Sequence, residues 1–242
     1  MNKISNSTHI FIYIMDINRY IDTYKNKNLV SFSINLSSEN SKKKLSSIPM
    51  FSKITKTNQD KYINSSMNGL AIRLGLPNND KTFVILLDID NKDDTEDNTI
   101  KNGMRKWKEL MKIHDKNNKI KTMRQTTGNN GLHYLFKVKE KDFEKLPNMI
   151  TELNIDEQKY SIDFKGKNQF VIVEPTNYDN KYYKWDDINE EIQMIPKWIF
   201  NLLISHKKII KTRNMIKQPE QKKETFIQYN ELKEYIDYLD IS

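Results

Sequence analysis

No cysteine occurs in the 242 residues of the chain. That absence removes disulfides, thiolate zinc sites and thiol nucleophiles together, and it fits an intracellular protein. Long apolar runs are missing too. Ile10 to Met15, the longest near the N-terminus, is too short to cross a bilayer and lacks the basic flank and small-residue cleavage site of a signal peptide. No membrane partner is expected. No Gly-Lys-Ser/Thr phosphate loop is present, which excludes a P-loop nucleotide engine within this chain. Ala71 is the only alanine while Lys, Asn and Ile abound, a bias of an A/T-rich genome that says nothing about fold.

What is present suffices for one substantial core. Hydrophobic residues make up 37% of the chain, which at this length predicts one main domain with an appended segment. The net charge is +8, and its distribution is uneven. Between Ser205 and Lys223, seven cations face only Glu220, a net +6. Such a stretch suits an anionic backbone, from which it releases counterions. Pro219 and the lack of a sustained apolar period mark it as a linker, ahead of a short amphipathic helix bearing Leu232, Tyr235, Ile236 and Leu239. The expected division is a folded domain at 1–206 and a basic linker with a short C-terminal helix at 207–242.

Within the domain, Ile10, Ile14, Ile17 and Ile21 recur at helical spacing and predict an opening helix. Strands are expected at 29–36, 69–74, 82–90, 121–126, 132–139, 160–165 and 169–174, and the Ser/Asn/Lys-rich stretch 37–47 as an exposed loop. Ile100, Met104, Trp107 and Met111 form one face of a helix capped by Thr95 or Asp97. A last helix starts near Pro196 and buries Trp198, Ile199, Leu202 and Leu203. This order predicts an α+β fold whose sheet is covered on one face.

Three segments can carry chemistry. Residues 84–90, VILLDID, end a buried-type strand in two carboxylates, and the period of two places Leu86, Asp88 and Asp90 on one face. Like charges so close repel, so they read either as a hard-cation site for Mg²⁺ or Mn²⁺ or as a polar strand end entering a loop. Removing one of them is expected to relieve repulsion in the metal-free protein. Residues 126–136 read as strand, glycine turn, strand: Leu132, Tyr134, Phe136 and Val138 take one face, His133 and Leu135 the other. Gly128 and Gly131 permit close backbone approach, which beside an imidazole suits a triphosphate, although a lone histidine is also a common structural residue. In residues 160–170, Ser161, Asp163 and Lys165 share a strand face opposite Ile162 and Phe164. They read as a solvated ion pair, or as a metal-binding carboxylate beside a phosphate-binding ammonium.

The order of these pieces resembles the bifunctional DNA primase/polymerase (prim-pol) domain of the archaeo-eukaryotic primase superfamily. The motifs are LLDID, GNNGLHYLF, IDFKG and FVIVEP, with YYKW and IPKWIFNLL closing, over roughly Asn68 to Ile204. The resemblance implies a primase-polymerase fold, with a catalytic sheet related to the RNA-recognition motif and a smaller N-terminal α/β unit. It implies Asp88, Asp90 and Asp163 as catalytic metal ligands for Mg²⁺ or Mn²⁺, and His133, Lys165, Gly131 and Thr127 as nucleotide-binding residues. Many relatives carry serine where this chain has Gly131, so one hydroxyl contact is lost.

The implied activity is template-directed, two-metal nucleotidyl transfer from nucleoside triphosphates on single-stranded DNA during replication. A catalytically idle nucleic-acid-binding module and a metal-dependent nuclease are the alternatives. With no P-loop here, a replicative helicase partner would act in trans or on a further C-terminal part. Composition and resemblance together suggest a large DNA virus or mobile element, and hence the host cytoplasm or nucleus.

Overall fold

A computed structural model describes residues 17–39 and 42–206. The expectations for Ile10 and Ile14, and for the linker and helix at 207–242, lie outside these residues, as does the second side of the proposed domain division. The chain opens with α1 (17–26), β1 (Val30–Glu39), β2 (Lys42–Ser47), β3 (Gly69–Arg73) and β4 (Thr82–Ile89). Next come β5 (Ile100–Lys101), α2 (Gly103–His114), β6 (Arg124–Thr126), β7 (Leu132–Lys139) and α3 (Glu140–Phe143). The remainder is β8 (Met149–Ile150), β9 (Leu153–Ile155), β10 (Gln158–Tyr160), β11 (Ile162–Lys165), β12 (Phe170–Val173), β13 (Asn177–Tyr178), β14 (Lys181–Tyr182), β15 (Lys184–Trp185) and α4 (197–206).

Two antiparallel sheets organise these elements into an α+β fold. A six-stranded sheet runs β15-β6-β7-β4-β11-β8, and a four-stranded sheet runs β12-β3-β1-β2. Alternation along β4 and β7 explains the first. Ile85, Leu87 and Ile89, with Tyr134, Phe136 and Val138, form one face, and α2 and α4 cover it with Trp107, Leu110, Ile199 and Leu203. Each such fully buried side chain contributes about 1.5–3 kcal/mol relative to exposure.

The opposite face is covered as well, which corrects the expectation of a sheet covered on one side only. Val84, Leu86 and Leu135 pack against Leu70, Ile72, Val171 and Val173 of the four-stranded sheet and against Ile17, Ile21 and Tyr24 of α1. The physical reason is the apolar run Val84–Leu87, which has no polar face to offer to water.

Two further expectations are corrected. The stretch 37–47 is largely a hairpin, because Leu36 lies opposite Leu45 and both join the core outside the four-stranded sheet. Lysines on the edge strand β2 protect it from pairing with other chains. Helix α2 begins at Gly103 with Asn102 as its cap, the Asn102 side chain accepting from the Arg105 amide, while Ile100 belongs to β5. Thr95 and Asp97 instead close a turn with Thr99. Gly103 is required there: a Cβ would stand 2.0 Å from the Ser161 carbonyl oxygen. The Met104 amide donates to the Asp90 carbonyl at 3.1 Å, which ties the start of α2 to the end of β4.

Candidate active site

The charged end of β4 lies between two antiparallel neighbours whose register decides what it meets. Asp88 stands opposite Asp163 of β11 on one side and opposite His133 of β7 on the other. The three side chains therefore form a row across three strands. They occupy the same sheet face as Leu86 and Leu135, one strand period beyond the point where the four-stranded sheet covers it.

Within the row, the His133 Nε2 lies 3.2 Å from Asp88 Oδ1. Lys165, two residues beyond Asp163, reaches across to Asp88 Oδ2 at 2.9 Å. The Glu152 amide donates to Asp163 Oδ1 at 3.0 Å. Asp90 is ion-paired with Lys92. Asp88 thus has both oxygens engaged by partners from the chain itself, and Asp163 and Asp90 one each.

Position alone separates the acids electrostatically. Burial pushes Asp88 up, but the imidazole of His133 and the ammonium of Lys165 outweigh it and hold the carboxyl well below the usual range. Asp163 is raised, first by burial and then by the neighbouring Asp88 carboxylate, against the lowering effect of the Glu152 amide. Burial lowers Lys165, yet its bond to Asp88 and the nearby Asp163 and Asp90 leave it raised overall. Lys165 offsets only part of the negative charge, and the Asp88 and Asp163 carboxylates remain opposed across β4 and β11.

The structure brings Asp88, Asp163, His133 and Lys165 together. Asp90 joins them as a charge felt by both Asp163 and Lys165. Among the described residues, no three His, Asp or Glu side chains form a ready metal cage. The donor set itself fits a hard divalent ion, since it offers carboxylate oxygens whose repulsion a cation relieves. Thr127 and Gly131 form the turn before β7. The Thr127 hydroxyl accepts the Gly131 amide at 3.0 Å, which ties the two ends of this turn together. A Cβ on Gly131 would lie 2.7 Å from the Ile89 carbonyl oxygen, so glycine lets this turn press against the end of β4.

Several neighbours escaped sequence reasoning. Tyr183 packs its ring 5.9 Å from that of His133 and receives the Lys43 ammonium on its hydroxyl at 3.1 Å. Burial, then the Asp88 carboxylate, pushes the Tyr183 phenol far up, so it stays protonated. Gln125 of β6 lies fully buried directly opposite His133. Its only signal in the sequence is a polar residue in a short strand, which means nothing until β6 is paired with β7. Lys92, without a role in the sequence reading, is the ion-pair partner of Asp90.

No helix among the described residues is long and apolar enough to cross a membrane. No curated protein matches the chain. A family profile described as bifunctional DNA primase/polymerase, N-terminal, matches residues 42–198, about two thirds of the chain, and this span holds every side chain of the row. The family is one of generally metal-dependent nucleotidyltransferases that act on DNA and nucleotides, and a match over most of the chain, centred on the strands that carry the acids, places the protein within it: the chain belongs to the bifunctional DNA primase/polymerase family.

Proposed function

We propose that the protein catalyses template-directed nucleotidyl transfer from nucleoside triphosphates on single-stranded DNA, with Asp88, Asp90 and Asp163 holding Mg²⁺ or Mn²⁺. The observation that carries this reading is the cross-strand row Asp163–Asp88–His133 with Lys165 folded over it. It sets acids suited to cations beside donors suited to phosphate at one end of the central strands β7, β4 and β11. Bound divalent ions would supply charge neutralisation at the reacting phosphate and a more acidic 3′-hydroxyl. The chain's own residues do the rest. Lys165 and His133 exchange their bonds to Asp88 for bonds to triphosphate oxygens, so their charge and proton are already directed before the nucleotide arrives. Lys92 leaves Asp90 for solvent. Thr127 and Gly131 supply the turn against which the triphosphate rests.

The six-stranded antiparallel sheet with helices on one face supports reading it as the RNA-recognition-motif-like catalytic sheet. The four-stranded sheet with α1 then corresponds to the smaller N-terminal unit. The cationic stretch after Ser205 is assigned to template binding, and a helicase, if used, to a partner or a further C-terminal part.

The test is synthesis on single-stranded DNA, primed and unprimed, with labelled nucleotides and Mg²⁺ or Mn²⁺. Wild type should extend or initiate chains. Asp90→Asn, which removes ligand charge at little cost to packing, should lower synthesis by about a hundredfold or more. Cleavage of the template without nucleotide incorporation would favour a nuclease, and DNA binding with neither reaction an idle module.

A further inference from the structure

We infer that Gln125 is a positioning residue that fixes the His133 ring with its proton on Nε2, pointed at the carboxylate row; the inference rests on His133 serving the site proposed above. The argument starts from an amide that cannot turn. Gln125 Oε1 accepts the Glu174 backbone amide at 3.2 Å, and Gln125 Nε2 donates to the Ile172 carbonyl at 2.7 Å. Exchanging the two ends would set an NH₂ against an N–H and an oxygen against a carbonyl, two repulsive contacts inside a fully buried side chain. Glu174 is itself held. Its carboxylate accepts the Trp185 amide at 2.8 Å and the Tyr20 hydroxyl at 2.9 Å, and its carbonyl accepts the Tyr24 hydroxyl. The frame therefore reaches from β15 to α1.

With the amide fixed, its remaining N–H points at His133 Nδ1, 2.7 Å away. A donor there requires a lone pair on Nδ1, so in the neutral ring the proton sits on Nε2. The Nε2–H then faces Asp88 Oδ1 at 3.2 Å. The other tautomer would fail twice, opposing N–H to N–H at Gln125 and presenting a lone pair to a carboxylate. In the proposed nucleotide complex the distinction is the same: Nε2–H donates to a phosphate oxygen, whereas a bare Nε2 repels it. Gln125 touches no substrate and acts only through the ring.

The experiment is ¹⁵N NMR of histidine-labelled full-length protein above neutral pH, with the His133 signals assigned by their loss in His133→Gln. Wild type should show Nε2 protonated and Nδ1 bare. Gln125→Glu keeps shape and still accepts the Glu174 amide, but turns an oxygen toward Nδ1 and toward the Ile172 carbonyl. Nδ1 should gain a proton, so that the ring carries one on each nitrogen between two carboxylates, and the nucleotide KM should rise about tenfold as the ring is drawn toward the new carboxylate, the low end of what partners behind a functional histidine contribute. A wild-type spectrum with Nδ1 protonated overturns the inference by itself, so a poorly folding variant cannot shield it. An unchanged pattern in a folded Gln125→Glu also overturns it. A protonated Nδ1 in Gln125→Glu with an unaltered nucleotide KM sustains the positioning role and overturns instead the assignment of His133 to nucleotide.

Discussion

The two faces of the six-stranded sheet are made by the same strands, yet they solve opposite problems. On the helix-covered face every position of β4 and β7 is apolar, buried at Ile85, Leu87, Ile89, Tyr134, Phe136 and Val138 and partly buried at the ends, Phe83 and Leu132. On the other face the same strands are apolar only in the middle, at Val84, Leu86 and Leu135, and reach Asp88 and His133 at one end. The change occurs where the four-stranded sheet stops covering the surface. The first face keeps the strands in register by excluding water, and the second uses that rigidity to hold charges at distances their own electrostatics would not choose. A chemical site is tolerated at the end of an apolar strand because the opposite face and the lower half of its own face are sealed.

Phe136→Ala should produce the largest effect, because the ring is fully buried against the helices. A loss of about 3–5 kcal/mol is expected, read as a lower urea midpoint, with the nucleotide KM of the remaining folded protein unchanged. A KM that moved with it would show that the faces are not independent.

Asp88→Asn and Asp163→Asn should then shift stability in opposite directions, against the simple expectation that losing any of the clustered acids brings relief. Asp88 has a depressed folded pKa, so its contribution is fully present above the unfolded value of about 3.9 and drains away as pH falls from there toward the folded pKa. At neutral pH, Asp88→Asn strips the partner from Lys165 and should cost about 2–4 kcal/mol, toward the lower end for a buried charge because the Lys165 side chain stays 25% exposed. Asp163 has a raised folded pKa, so its ionised form opposes folding at neutral pH and the penalty fades as pH falls through that pKa. Asp163→Asn should therefore stabilise, and its gain should shrink on acidification. Urea melts of both variants across an acidic pH series check the signs.

Lys165→Ala sharpens the comparison on the charged face, where a charge-assisted contact is worth about 1.5–3 kcal/mol, or roughly ten- to a hundredfold in kcat/KM for nucleotide. Single-stranded DNA affinity, measured in parallel, should barely change. The smallest effect is expected at the edge of the sealed face. Asn102→Ala removes the cap of α2 and should cost about 1 kcal/mol, with a slight loss of synthesis because α2 begins on the Asp90 carbonyl.

Much of this was legible in the residues. Alternation alone placed Tyr134, Phe136 and Val138 opposite His133, and Ile162 and Phe164 opposite Asp163, and the structure agrees. Helix α4 lies where Pro196 and the Trp198–Leu203 pattern set it. The hairpin at 37–47 was not legible, because Leu45 is a single apolar residue among serines and lysines and counts only once Leu36 is known to face it. The start of α2 was missed because Ile100 fits a helical stripe as well as it fits β5, and only the close approach of Gly103 to Ser161 separates them.

What the sequence determined by itself is which side chains share a face, since that follows from the period of the backbone and needs no partner. It determined that acids, a histidine and a lysine end three strands on faces suited to chemistry. Only the tertiary structure decided that Asp163, Asp88 and His133 stand in one row, that Lys165 folds back onto a carboxylate 77 residues away, and that Gln125 stands behind the imidazole. Local periodicity is fixed by neighbouring peptide units. Strand order and register are fixed by how the whole set of apolar faces is buried at once, and no single segment carries that information.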